Sequence, residues 1–308
     1  MQSEYDGGHR VPLFIRWPAG GLIGGRDVEP ITAHVDMLPT LIDHAGIAPP
    51  RGVQFDGRSI WQLLEGEASP AEGSWPDRIL VTDSQRVMEP IKWWRSAVMT
   101  SRWRLINGEE LYDIKRDAAQ ENDVAGAHPD VVVRLKGFYE DWWSELEPAF
   151  KHVPAIYLGH EREDPVRLTS HDWIAEESTP WNQSLVRTAL DKPSAIGYWN
   201  VNVIAAGEYE IRLRRWPEEA DAAIAAALPP GADVPGDSPF PASPGKAVPA
   251  VKASVRIGEV TSEAAVETGA KEVVLRMTLP AGKTGMTAVF TTRDGGTVET
   301  YYAYVKRL

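Results

Sequence analysis

The hydrophobic periodicity of this 308-residue chain changes once, near Pro148, and that change constrains the fold more than any single motif. Before it, Pro129 opens a segment in which Val132, Leu135, Phe138 or Tyr139, and Trp142 recur at helical spacing. This predicts a long helix over about 129–146. After it the helical period is lost. Short β-rich runs follow at 197–205, 209–214, 252–257, 272–279, 287–292 and 300–305, punctuated by Gly207, Pro280-Ala281-Gly282 and Asp294-Gly295-Gly296. Short strands bounded by turn residues predict an antiparallel, sandwich-like architecture. The pattern therefore predicts an α+β unit over 1–149 and a mostly β unit over 150–308. Residues 228–251, rich in Pro, Gly and Ala, read as a long surface loop.

Within the first unit, the apolar run 11–18, bounded by prolines, reads as a buried strand. A helix is expected over 33–45, with Val35, Leu38, Ile42 and Ala45 on one face and Gly46 at the C-terminal cap. Pro39 either kinks it or moves its start later. A short helix is expected over 59–65 and a strand over 78–82, ending in the polar Asp83-Ser84-Gln85. Segments 96–106 and 110–114 read as paired strands joined by an Asn107-Gly108 hairpin turn.

Composition excludes several classes. A formal net charge of −12 argues against nucleic acid as the main partner, while leaving room for an anionic ligand in a local basic pocket. With no cysteine, disulfides, thiolate metal sites and cysteine nucleophiles are ruled out. No apolar run is long enough for a transmembrane helix. The first residues, Met1 to Asp6, have neither the basic nor the apolar region of a signal peptide. Tryptophan, at 12 residues and including the pairs Trp93-Trp94 and Trp142-Trp143, has two readings: core packing, or flat faces for sugar stacking.

Three segments together resemble sulfatases of the alkaline-phosphatase-like superfamily. The first is Tyr5-Asp6-Gly7-Gly8-His9-Arg10-Val11-Pro12. The second is His34-Val35-Asp36-Met37-Leu38-Pro39-Thr40-Leu41, continuing through Ala45-Gly46-Ile47 to Asp56-Gly57-Arg58-Ser59. The third is Glu110-Leu111-Tyr112-Asp113-Ile114 followed by Asp117, Glu121, Asn122 and Val124. They stand in the family's order over about the first 150 residues. Segments 168–173, 180–183, 197–199 and 214–217 further resemble a β-rich extension found on some bacterial sulfatases.

The resemblance implies the C-terminal subdomain of such a sulfatase, with a short antiparallel sheet and a long helix. The family hydrolyses sulfate esters, aryl or carbohydrate, with a formylglycine nucleophile and a divalent cation, usually calcium, held by hard oxygen ligands. This sequence has no adjacent pair of aspartates and no Asp-Asn dipeptide, and Met1 to Tyr5 lack the family's lysine before the double glycine. The expectation is a C-terminal fragment without catalytic or metal-ligating residues, binding neither calcium nor formylglycine and inactive alone. Its partners are then a sulfated small molecule or glycan and the missing N-terminal sulfatase half, with no nucleic acid and no membrane. The alternative is a non-catalytic carbohydrate-binding or interaction protein derived from a sulfatase. The resemblance points to a periplasmic or extracellular location.

Ser74-Trp75-Pro76-Asp77-Arg78 matches the serine form of the formylglycine motif, but lacks its Thr-Gly continuation at Asp83 and Ser84 and lies downstream of the double-glycine turn. It reads as a chance match. Of the seven histidines, none shows ligand spacing. His9 is a candidate substrate contact because its turn approaches the family's active site; an ordinary structural histidine is the other reading. Asp83 and Gln85 follow a probable core strand, where sheets of the α/β class present ligand contacts. They are candidates for gripping the substrate beyond its sulfate, or a plain polar turn. Arg10 and Arg16 are expected in scaffold ion pairs. If an N-terminal half normally covers this unit, apolar surface should be exposed around 11–15 and 79–81.

Overall fold

Asn107 and Gly108 both take left-handed backbone, with φ of 50° and 74°. That geometry belongs to the hairpin turn that the Asn-Gly pair favours. It joins β3 (Trp103–Ile106) to β4 (Glu110–Asp113), with Ile106 opposite Glu110 and Trp103 opposite Asp113. The structure, a computed structural model, describes residues 3–49, 51–65, 75, 77–85, 87, 89–175, 183–189 and 197–308. The chain divides into two compact units, Met1–His152 and Val153–Leu308.

In the first unit, β1 (Leu80–Asp83), β2 (Ser96–Met99), β3 and β4 form an antiparallel meander in chain order. The expected long strand over 96–106 is two strands. Thr100 breaks it, because its hydroxyl accepts the N–H groups of Arg102 and Trp103 and so turns the chain. Helix α4 (Pro129–Phe150) extends beyond the expected 146, with Pro148 in its last turn. It buries Leu135, Tyr139 and Trp143, a stripe at intervals of four, against Val98, Trp103, Leu105 and Leu111. Trp142 is only partly buried and Phe138 is exposed. The sheet's other face carries a smaller cluster of Ala97, Ile106 and Tyr112, flanked by Tyr5 and Met99.

Ahead of the sheet, α1 (Asp6–His9) is a single turn, and α2 (Met37–His44) follows a 3-10 turn at His34–Asp36. The helix start is thus later than residue 33. Pro39 falls in its first turn, where a missing N–H costs no hydrogen bond. Gly46 follows with φ 62°. The third short helix is α3 (Trp61–Glu65). The buried strand expected over 11–18 does not form. Its one ladder contact is an isolated bridge from Trp17 to Leu22, and a strand without a partner cannot satisfy its backbone. Val11 and Phe14 are 78% and 90% exposed. Ile79 and Val81, by contrast, are half-buried against the α4 cluster, so exposure there is less than expected.

The second unit is mostly β. One sheet has the order β10-β9-β12-β7-β5, with β13 pairing β12. Its strands are β5 (Ile156–Leu158), β7 (Trp199–Val203), β9 (Ala250–Ile257), β10 (Val260–Ala265), β12 (Gly282–Thr292) and β13 (Thr297–Glu299). The other has the order β11-β8-β14-β6, from β6 (Val166–Thr169), β8 (Gly207–Arg214), β11 (Val273–Leu279) and β14 (Tyr302–Arg307). All pairs are antiparallel except β5 with β7. Inward residues of both sheets, among them Trp199, Val255, Phe290, Ile211, Leu275 and Val305, belong to one hydrophobic cluster. Strands β5, β6, β10 and β13 were not foreseen. Three are only three or four residues long, and β10 buries none of its side chains fully.

The stretch 217–249 is mostly irregular, but two arginines tie it down. Arg215, fully buried, donates to the carbonyls of Arg187, Ala226 and Lys246 at 3.0, 3.1 and 2.7 Å. Arg187 donates to Leu228 O at 2.9 Å. Burial lowers the Arg215 guanidinium to about 10.

Candidate functional site

Asp83 ends β1 opposite Ser96. Its side chain shares a sheet face with Val81 and Val98, the face that α4 covers, because alternate strand residues point the same way. Burial pushes its carboxyl above the ordinary aspartate value, against the opposing hydrogen bonds from Gln85. Gln85 donates to Asp83 from its side chain at 3.0 Å and from its backbone at 3.3 Å. The same side-chain amide brackets the backbone of Ile91, donating to its carbonyl and accepting from its N–H, both at 2.6 Å. Gln85 therefore closes the 85–91 segment as a side-chain surrogate for a strand pair and orients Asp83 at the same time.

The loop continues through two non-glycine residues in left-handed backbone, Trp93 at φ 62° and Arg95 at φ 54°. Each costs roughly 1–2 kcal/mol, so the surroundings must fix them. They do. The Trp93 ring stacks on Tyr139 of α4 with centroids 3.7 Å apart, its backbone N–H donates to the Tyr139 hydroxyl at 3.1 Å, and its indole N–H donates to Glu140 at 2.8 Å. Lys92 pairs with the same glutamate. Gly108 supplies the floor: a Cβ there would lie 3.0 Å from the Trp93 ring. Trp94 is left 38% exposed, with the Arg95 guanidinium 5.0 Å from its ring. The result is a ledge on which Trp94 and Arg95 are exposed and Asp83, half-buried, sits beside Tyr139 of α4.

His9 lies elsewhere. Its Nε2 is 3.1 Å from Met99 Sδ and 3.5 Å from Asp6 Oδ1. Met99 pairs with Leu80 at the far end of the β1–β2 ladder, three residues and about 10 Å from Asp83. Met99 also points to the opposite sheet face, into the Tyr112 cluster. The structure thus joins Asp83 to Gln85 and separates both from His9. The His9 neighbourhood is a buried polar knot: Arg104 Nε donates to Asp6 Oδ1 at 2.7 Å, and Asp6 N–H donates to Gln120 at 2.7 Å. Burial alone would raise the Asp6 carboxyl; hydrogen bonds from His9 and Arg104 outweigh it and hold the group at about 2. Alongside, Tyr5 donates to Glu110 at 2.8 Å and its hydroxyl is pushed up to about 12, by that hydrogen bond first and then by burial.

The residues of the second motif form a third knot. Asp36, fully buried, takes both Arg78 nitrogens, the N–H of Ala33 at 2.7 Å and that of Arg58 at 3.0 Å. A Cβ on Gly57 would sit 1.9 Å from the Val35 carbonyl oxygen, so only glycine fits. Asp36 and Gly57 are scaffold. Arg10 extends to Asp6 at 3.7 Å from an exposed position, the pairing expected of it, and no ion pair is seen for Arg16 among the described residues.

Among the described residues no three His, Asp or Glu side chains converge to hold a metal. No step is assigned to calcium. Ser74, Trp181 and Asn182 lie outside the described residues. Sequence reasoning passed over Glu140 and Arg95, and named Tyr139 only as part of a buried stripe. The Trp-Trp pair was visible, but a positive φ at two bulky residues has no sequence signal.

Residues 2–137 match the family described as N-sulphoglucosamine sulphohydrolase, C-terminal. The extracellular sulfatase SULF-1 homolog of Drosophila melanogaster is 32% identical over 119 residues, covering 37% of this chain and 10% of that protein. The N-acetylglucosamine-6-O-sulfatase of Bacteroides thetaiotaomicron is 29% identical over 129 residues, 40% of this chain and 22% of that protein. The chain thus spans only a small part of the length of these relatives. A family 35 carbohydrate binding module from Clostridium thermocellum aligns with 47% of this chain and 98% of its own, at 18% identity and a TM-score of 0.25, too low to argue from.

Proposed function

Residues 2–137 belong to the sulfatase family, as its C-terminal portion, and from that premise we propose that this chain is the substrate-side region of an enzyme hydrolysing sulfate esters, carbohydrate or aryl. The nucleophile and the cation come from another segment of the sulfatase fold. The observation that carries this reading is a division of roles: Asp36, Gly57 and Asp6 are spent on scaffold, while Gln85 and Tyr139 hold the half-buried Asp83 next to the exposed Trp94–Arg95 turn. Asp83 accepts hydrogen bonds from substrate hydroxyls and Trp94 offers a flat face, with Gln85 holding Asp83 in place. His9, on the other sheet face, positions Asp6 and takes no part in that ledge.

The partner segment has a surface to cover. Leu13, Phe14, Ile23, Leu38 and Leu41 are exposed apolar side chains within one stretch of the first unit, and such concentrations mark lost partners. Strand β1 also has an unpaired edge among the described residues. We assign this surface to the N-terminal segment of a sulfatase domain. No helix among the described residues is long and apolar enough to cross a membrane. A periplasmic or extracellular setting fits the SULF-1 homolog, which is extracellular by name.

The test is the purified chain, co-expressed with a formylglycine-generating enzyme and assayed on a chromogenic aryl sulfate with and without calcium. No turnover above background is expected, because attack at sulfur needs an activated oxygen nucleophile and charge stabilisation. Turnover that disappears in Ser74→Ala would place the nucleophile on this chain and overturn the division of labour.

A further inference from the structure

The two sheets of the second unit turn very different outer faces to solvent. On the four-stranded sheet most arginines are neutralised in place. Arg212 and Arg214 share Glu272 at 3.3 and 2.9 Å, Arg276 pairs with Glu210 at 3.1 Å, and Arg167 pairs with Glu219 at 3.0 Å. Only Lys306 and Arg307, at the end of β14, are exposed there with no carboxylate partner among the described residues.

The six-stranded sheet is different. Alternation puts Trp199, Val201, Met286 and Ile257 inside, so Tyr157, Asn200, Asn202, Lys283, Gly285, Thr287 and Arg256 face out. Ladder pairing sets Tyr157 beside Asn202 and Asn202 beside Lys283, one row across three strands. Further along, Thr287 sits beside Arg256. Lys283 and Arg256 are exposed and have no carboxylate partner among the described residues; Lys252, at the sheet's far end, is taken by Glu263 at 3.0 Å.

Two aromatic rings complete this face. Tyr157 is 59% and Tyr198 41% exposed. The Tyr198 ring is not loose. It lies over Gly285, where a Cβ would be 3.3 Å from its edge, and its backbone is locked by reciprocal hydrogen bonds with Ile174 at 2.9 and 3.0 Å. Tyr157 and Tyr198 are separated by four residues of strand, about 13 Å, which suits an extended chain better than a single small molecule. The Asn200 amide is taken by the carbonyls of Val153 and Pro154 at 3.3 and 3.1 Å, which leaves Asn202 between the rings. Exposed rings, this amide and unpaired cations on a chain of net charge −12 form a combination that fits a hydroxyl-rich polymer bearing negative groups.

We propose that the outer face of the six-stranded sheet binds a sulfated polysaccharide, with Tyr157 and Tyr198 stacking on sugar rings, Asn202 bonding hydroxyls, and Lys283 and Arg256 holding sulfate groups. The choice of sulfate over another anion rests on the sulfatase reading; the existence of an anionic-glycan face does not. Such a face would keep a polymeric substrate near the sulfatase region without taking part in hydrolysis.

The experiment is affinity electrophoresis of the full chain through gels holding heparin, hyaluronan or neutral mannan. Heparin should retard the protein most. Lys283→Glu should weaken heparin retention at least fivefold, Tyr198→Ala at least threefold, and Lys306→Glu, the same charge change on the opposite sheet, less than twofold. Circular dichroism checks that each variant is folded, and Lys283→Gln, which keeps the stem, should still lose retention. The proposal is overturned if Lys306→Glu weakens retention as much as Lys283→Glu, or if hyaluronan or mannan retards the chain as strongly as heparin. No hydrolysis is measured, so a negative result here leaves the sulfatase reading standing, and loss of that reading leaves retention unchanged.

Discussion

The two units are held together by different means. The second encloses one hydrophobic cluster fed by both of its sheets, and also buries Arg187, Arg214, Arg215 and Glu299. The first has two small clusters on either side of a four-stranded sheet, and relies on buried polar knots at Asp6 and Asp36. It also exposes Val11, Phe14, Ile23 and Leu41. The difference teaches that the second unit is organised around one continuous core, while the first splits its apolar side chains between small clusters and the surface.

The sharpest way to break this comparison is to remove one member of each kind. Arg78→Ala leaves the Asp36 carboxylate buried without its cation, a loss of about 3–5 kcal/mol. Phe290→Ala empties a fully buried position of the second unit and should also cost about 3–5 kcal/mol. Hydrogen exchange resolved by segment should show the first change loosening α2 and β1 and the second loosening β9 and β12, each within its own unit. Spread of either effect into the other unit would contradict their independence.

Acid sharpens it further. Asp6 in the folded chain titrates at about 2, below its ordinary value, and Asp36 is lowered as well. A depressed folded value means that the stabilisation is complete above the ordinary aspartate range and is lost as pH falls through about 2. Exchange rates in the first unit should therefore climb over that window before those of the second. Equal acid sensitivity would remove the polar knots from the account.

A smaller effect is expected at Gly108. Alanine there must adopt φ 74° and press on Trp93, costing roughly 1–2 kcal/mol. Quenching or shift of tryptophan emission would report the disturbed Trp93–Tyr139 stack. The smallest effect belongs to Phe14→Ser, which should change the stability of the chain by less than about 0.5 kcal/mol. A loss of several times that would mean the ring packs against something within this chain.

Much of this was legible from residues alone. Asn107-Gly108 announced its hairpin because few residue pairs accept two successive left-handed positions. Pro129 and the spacing from Leu135 located α4. The strands carrying Tyr209, Val255 and Leu275 showed alternation over enough residues to be read. What stayed hidden was tertiary in origin. The apolar run at 11–18 has the composition of a strand, but a strand is a pairing, and composition does not say whether a partner exists. The double role of Gln85, the rings under Trp93 and the opposed faces of His9 and Asp83 depend on register, which a single sequence does not display. The rule that drew attention to Asp83 belongs to parallel α/β sheets, whereas β1 is the edge of an antiparallel meander.

The central claim is that the first unit is completed by an N-terminal sulfatase segment that brings the nucleophile and cation to the Asp83 ledge. It is tested most directly by supplying such a segment, with its Cys/Ser-x-Pro-x-Arg motif and paired aspartates, as a separate polypeptide. The account predicts that the two co-purify, that the complex hydrolyses an aryl sulfate, that Phe14→Ser weakens association, and that Asp83→Ala raises KM more than it lowers kcat. Turnover by the added segment that is indifferent to this chain, or failure of the two to associate, would contradict it.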